Sequence, residues 1–107
     1  VTFTVAGHEA PGFVLTLTAS GAVVNPKVMD SDGKYVIIKE AMVSGDVAVI
    51  STVARDKFTT LNGEICRYDK LSDFFTLKIG SNTLTVSADS GIGYLSKSLS
   101  WRERYRG

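Results

Sequence analysis

The sequence predicts an all-β domain, a two-sheet antiparallel β-sandwich, on three observations. β-Branched residues are abundant: 12 Val, 10 Thr and 6 Ile among 107 residues, side chains that lose rotamer freedom in helices and pack well on pleated sheets. Apolar residues recur with a period of two, as in Phe13, Leu15, Leu17, Ala19 and again in Leu84, Val86, Ala88, which places each set on one face of a strand. Clusters of Gly, Asn, Asp and Ser interrupt the chain every 8–12 residues, the spacing of sandwiches and barrels. No stretch holds an i, i+3, i+4, i+7 apolar stripe free of turn clusters, so no long helix competes.

The elements follow in order. Val1–Val5 reads as a strand, and Ala6–Pro11 as a loop carrying the only histidine, His8. Phe13–Ala19 is the clearest alternating strand, closed by Ser20-Gly21. Val23–Val28 contains Pro26, which marks an edge or a kinked strand because proline has no N–H to give a ladder. Ser31-Asp32-Gly33 and Ser44-Gly45-Asp46 are turns flanking the apolar run Tyr35–Ile38, and Val47–Ile50 follows. The strongest single signal is Asn62-Gly63 between Phe58–Leu61 and Glu64–Tyr68, since Asn-Gly supplies the positive φ angles of a type I′ hairpin. Asp69–Asp73 reads as one helical turn. A second hairpin is expected from Phe75–Ile79 into Thr83–Ala88 across Gly80-Ser81-Asn82. In the last strand Leu95, Leu99, Trp101 and Tyr105 share the core face, while Ser96, Ser98, Ser100, Arg102 and Arg104 form a solvated rim.

Residues 1–107 make one domain, and the opening at Val1 without Met or leader is read as a piece of something longer. Twelve Lys and Arg against eleven Asp and Glu leave a net charge of +1, so neither nucleic acid nor an anionic membrane is an expected partner. The longest apolar runs have four residues, far below the roughly 18 of a spanning helix. A single cysteine, Cys66, fits a reducing compartment and cannot staple the chain.

Chemistry is sparse, and no catalytic, cofactor-binding or metal-binding residue is assigned. His8 has no nucleophile elbow to serve, and one His with one Cys cannot supply a zinc site. Cys66 is expected mid-strand as a small buried apolar group, with Arg67 on the opposite face. Asp30-Ser31-Asp32-Gly33 resembles the start of a calcium loop, but Tyr35 and Ala41 stand where an EF-hand needs Gly and Glu; an Asp-Gly hairpin turn accounts for it better. Trp101-Arg102-Glu103-Arg104-Tyr105-Arg106 interleaves basic and aromatic residues as a single-strand binder would, yet alternation turns Trp101 inward. Asn25-Pro26-Lys27 with Trp101 and Glu103 superficially resembles the galectin sugar motif, but Val23 replaces its histidine and the Trp-to-Glu spacing is wrong.

The ordered set Asn25-Pro26-Lys27-Val28, Gly33, Ser44-Gly45-Asp46 before Val47–Thr52, Asn62-Gly63, Leu71–Leu77, Gly80–Leu84 and Trp101–Tyr105 resembles the C-terminal domain of the siphophage distal tail protein family, from about Ala10 to Tyr105. The resemblance implies a galectin-like, jelly-roll-type sandwich from the C-terminal part of a longer tail protein. Six such proteins would be joined as a homohexamer through an N-terminal domain that this chain lacks. It implies a non-enzymatic structural adaptor at the baseplate hub of the virion, assembled in the bacterial cytoplasm. Its partners would be the tail tube, the tape measure and the tail-tip or receptor-binding proteins, and the fragment alone would be a monomer or weak dimer. The alternative is a carbohydrate-binding module for host cell-surface glycans, with Tyr35, Tyr68 and Tyr94 as its exposed platform.

Overall fold

The structure, a computed structural model, describes residues 2–7, 11–53, 56–70 and 72–101. The strands follow in chain order: β1 (Thr2–Val5), β2 (Phe13–Ala19), β3 (Val23–Val24), β4 (Lys27–Met29), β5 (Tyr35–Ile37), β6 (Ala41–Met42), β7 (Val47–Val53), β8 (Asp56–Leu61), β9 (Glu64–Ile65), β10 (Gly80–Thr83), β11 (Thr85–Ser87) and β12 (Leu95–Trp101). Each ladder is antiparallel. Among the described residues the helical content is one 3₁₀ turn, Ile92–Tyr94. The all-β expectation holds.

One layer is a continuous five-stranded sheet in the order β12-β2-β7-β8-β9. The pairs Leu15↔Leu99 and Leu15↔Ile50 set its register. Strand β2 buries Phe13, Leu15, Leu17 and Ala19 and turns Val14, Thr16 and Thr18 outward, as the alternation requires. The other layer is broken into three ladders, β1-β10, β11-β4-β5 and β3-β6. They run into one another, since Leu84 alone separates β10 from β11, and Asn25-Pro26 separates β3 from β4. Val5, Val23, Val28, Val36, Ile38, Met42 and Leu84 from this layer join the β2 and β7 side chains in one buried cluster. Burial of this set from both layers supplies the dominant favourable contribution to folding.

Local chemistry explains the breaks. Asn25 has φ 52°; its side-chain Nδ2 donates to Asp89 Oδ2 at 2.8 Å, and its backbone N–H donates to the Glu40 carbonyl at 3.0 Å. Pro26 is buried, and its carbonyl accepts the Ile38 N–H at 2.9 Å. The kink at Pro26 is therefore real, but β4 lies between β11 and β5, so Pro26 introduces an interior strand and not an edge. Beside β5, Asp69 and Asp73 donate their N–H groups to the Ile37 and Tyr35 carbonyls, and Ser72 bonds back to Asp69. That segment lies along the strand instead of forming the expected helical turn, with Leu71 outside the described residues.

The Asn62-Gly63 hairpin forms as expected, with Leu61↔Glu64 closing a two-residue loop and φ of 53° and 85° at its centre. The second expected hairpin does not. Phe75–Ile79 lies outside every strand, and Gly80-Ser81-Asn82 belongs to β10, paired with Val5, Thr4 and Phe3 of β1. The cause is Asn82, whose side-chain oxygen accepts the Lys78 N–H at 2.8 Å and whose amide donates to the Lys78 and Gly80 carbonyls. This side chain closes the turn two residues earlier than composition suggested, and Leu77 donates to the Pro11 carbonyl at 2.8 Å.

At the start of β2, the Phe13 N–H donates to Thr52 Oγ1 at 3.0 Å in a buried setting. A Cβ on Gly12 would fall 2.5 Å from the Thr52 carbonyl oxygen and 2.6 Å from the Val53 Cα, so backbone meets backbone there. Gly12→Ala is expected to cost about 2–3 kcal/mol through forced displacement of β7. At Gly63 nothing lies within 4 Å, so Gly63→Val should cost about 1–2 kcal/mol from backbone conformation alone. Urea midpoints check both; an unchanged midpoint for either variant contradicts the corresponding explanation.

Candidate interaction surface

Several residues singled out by the sequence lie outside the described residues: His8, Leu71, Arg102, Glu103, Arg104 and Tyr105. The others have structural partners. Asp30 accepts the N–H groups of Asp32 and Lys34, both at 2.9 Å, and Asp32 pairs with Lys78 at 2.6 Å. The hydrogen bond and charge of Lys78 hold the Asp32 carboxyl below the usual range. Asp30 and Asp32 therefore shape the β4–β5 connection, each serving a different partner. No group of three His, Cys, Asp or Glu among the described residues is placed to hold a metal.

Cys66 is half-buried one residue beyond β9, not mid-strand. β9 ends early because the chain bends so that Tyr68 can bridge Ile38. The Cys66 N–H donates to the Thr59 carbonyl at 3.0 Å, and Thr59 Oγ1 donates to the Cys66 carbonyl at 3.1 Å. Burial pushes the thiol pKa up, which disfavours the reactive thiolate. Its role is packing.

Trp101 faces inward as expected but is half-buried, stacked on Phe3 of β1 with centroids 4.6 Å apart and planes 28° from parallel. The stack joins an edge strand of each layer. Leu95 and Leu99 share its face, and Ser96, Ser98 and Ser100 are exposed. The three tyrosines each have a separate partner. Tyr35 lies under the Lys27 ammonium at 4.8 Å, Tyr68 meets Phe74 edge-on at 5.1 Å, and Tyr94 covers Gly21. No ring contact among the described residues brings two of these tyrosines together.

Two surfaces emerge that no single motif announced. The first is one end of the sandwich, where three turns are bonded into a frame. Gly45 donates to the Ala19 carbonyl at 2.8 Å, Ala19 to that of Asp46 at 2.9 Å, and Ser20 to that of Tyr94 at 2.8 Å. The Asp46 carboxylate ties the frame to the Asn62-Gly63 hairpin, accepting Asn62 Nδ2 at 3.0 Å and the Val43 N–H at 2.9 Å. Val43, Ile92 and Tyr94 project from this end, 61%, 45% and 54% exposed. Apolar side chains held open on a bonded frame have the character of a protein contact.

The second surface is the outer face of the five-stranded sheet. Its central row, Ser98-Thr16-Val49-Thr60-Ile65, crosses all five strands. The flanking rows are Ser100-Val14-Ser51-Phe58 and Ser96-Thr18-Val47. None of these residues is charged; Asp56, paired with Val53, stands at the rim. Ile65 is 77% exposed. β7 thus carries apolar residues on both faces, contrary to the expectation that no strand does. The available signal was the recurrence of Ser, Thr and Val at the outward positions.

Residues 6–105 of the chain match the family described as siphovirus-type tail component, C-terminal domain. The chain belongs to this family. No curated protein and no solved structure matches the chain significantly. As a siphovirus-type tail component domain it has a structural role in the phage tail, which implies contact with other tail proteins and a place in the virion.

Two measurements test this description. Asp46 is held below the ordinary carboxylate range first by the Asn62 side-chain bond and then by the Val43 N–H. Its stabilisation is therefore present above the unfolded value, about pH 4, and is lost as pH falls through the lowered native value. The melting-temperature gap between wild type and Asp46→Ala should be constant near neutrality and narrow below about pH 4; an equal gap at both ends excludes an ionised Asp46 as the tie. Trp101→Ala should cost about 2–3 kcal/mol, less than a fully buried Trp. Its fluorescence should be partly blue-shifted, and Phe3→Ala should shift it to the red. No effect of Phe3→Ala on the emission would contradict the stack.

Proposed function

We propose that this domain is a non-enzymatic structural adaptor of the phage tail, a galectin-like sandwich that links the end of the tail tube to tail-tip or receptor-binding proteins. In this reading it works at the tail tip, assembled in the bacterial cytoplasm within a homohexamer whose ring contacts belong to a domain outside this chain. The observation that carries it is the bonded turn frame presenting Val43, Ile92 and Tyr94, a rigid contact end with no assembled acid, base or metal group among the described residues. A preorganised frame lowers the ordering cost of association, which suits a permanent joint. Glycan binding is the second reading, favoured by Tyr94, whose ring covers Gly21 while more than half of the residue is open.

The test is a binding assay of the chain against the purified tail-tube, tail-tip and receptor-binding proteins of the same tail, with a glycan array run beside it. The adaptor reading expects a tail-protein partner, with affinity reduced at least tenfold by Val43→Glu or Ile92→Glu, about the effect of losing one buried interface anchor. Glycan binding lost in Tyr94→Ala, without any tail-protein partner, replaces the adaptor by the sugar-binding module.

A further inference from the structure

The outer face of the five-stranded sheet has a property that neither the family nor the turn-bearing end explains. Protein surfaces ordinarily hold about a quarter to a third charged residues, whereas the central row, Ser98-Thr16-Val49-Thr60-Ile65, and its flanking rows hold none. The opposite layer differs, since Lys27 points outward on β4 and holds its ammonium over Tyr35. Depletion of charge marks the centre of protein interfaces. It also rules against the polyanionic partners, nucleic acid and acidic lipid, that need positive charge.

We propose that this face is an isologous docking surface for a second copy of the chain. In a contact with two-fold symmetry the residues nearest the axis meet their own copies, so a charge there repels itself, and a neutral face carries no such penalty. Val49 lies on β7, the middle strand of the five, in the row that crosses the whole sheet, which puts it close to that axis. Val and Thr on β-strands have few rotamers to lose, and small Ser side chains let two sheets approach to the usual separation of about 10 Å. Five strands about 4.8 Å apart, at about 3.3 Å per residue along seven-residue β2 and β7, span roughly 24 by 23 Å. A face-to-face contact would therefore cover about 1,100 Å² over both copies, just above the roughly 1,000 Å² at which specific interfaces begin. The dimer is accordingly weak.

Pairing through the free edge of β12 is the competing route, and the structure obstructs it. Lys97 pairs with buried Leu17 on the inward side of β12 yet is itself exposed, and an inward-facing charge on an edge strand is a known barrier to edge-to-edge addition.

Sedimentation velocity over about 10 µM to 1 mM chain, the range where a contact of this size is populated, tests the proposal. Wild type is expected to move from monomer to dimer across that range. Val49→Glu and Val49→Lys should each remain monomeric, with dimerisation weakened at least tenfold, and an equimolar mixture of the two should recover a dimer because opposite charges now meet at the axis. Thr16→Lys, on the neighbouring strand of the same row, should also weaken it; unchanged far-UV circular dichroism and melting confirm that each variant is folded. A wild type that stays monomeric at 1 mM overturns the proposal, as does a dimer that survives both Val49 substitutions. Neither result bears on binding at the turn-bearing end, which is read with different variants and a different partner.

Discussion

β2 is hydrogen-bonded on both sides, to β12 and to β7, and all four of its inward residues are buried. A slip of one residue would move Phe13, Leu15, Leu17 and Ala19 to the outside and bring Thr16 and Thr18 into an apolar core. The remaining architecture serves that constraint, because a sheet with such an inner face must be covered. The cover comes from short strands instead of a second continuous sheet, and each break in it is satisfied locally. Asn25 and Asp89 hold one break, Asn82 holds another, and the segment after Tyr68 occupies the outer edge of β5. Buried backbone groups must be paired, so side-chain amides take over wherever the ladder stops.

The parts that were legible in the sequence are those fixed by neighbouring residues. Alternation in β2 and the Asn62-Gly63 turn depend on side chains one to three positions apart, and both appear where expected. The parts that were not legible depend on distant partners. Gly80-Ser81-Asn82 has the composition of a turn, yet it is drawn into β10 by pairing with β1 at the far end of the chain, a non-local contact that overrides propensity. Cys66 looked like mid-strand because Glu64–Tyr68 continues the hairpin pattern, but the Ile38–Tyr68 bridge redirects the chain after Ile65. For Pro26, sequence could identify a disturbed strand but not which side had neighbours, since β11 reaches β4 from sixty residues away in the chain.

The candidate surfaces show the same division. Trp101 was placed on the correct face by alternation, but its exposure is set by Phe3, on a strand of the other layer. Val43, Ile92 and Tyr94 sit beside turn residues in three separate stretches, and only the bonds among Ala19, Ser20, Gly45 and Tyr94 bring them to one end. The charge-free face was spread in the same way over β12, β2, β7, β8 and β9. Its meaning lies in which residues stand side by side, and register supplies that.

Exposed backbone, exposed apolar side chains and uncharged sheet are three different invitations to association, and this domain treats them differently. The β12 edge, where unpaired N–H and C=O groups would accept another strand indiscriminately, is guarded by Lys97. The turn-bearing end gathers apolar side chains but fixes them through directional bonds to Asp46 and Asn62, so a partner must match a set geometry. The outer sheet face is neither guarded nor shaped by such bonds; its selectivity comes from exclusion, because any charged group brought against it would be desolvated without a counter-charge. For a tail component, which must join particular neighbours at high local concentration without aggregating beforehand, that ordering places the weakest discrimination where contact area is small and the strongest geometric demand where the apolar side chains are most exposed.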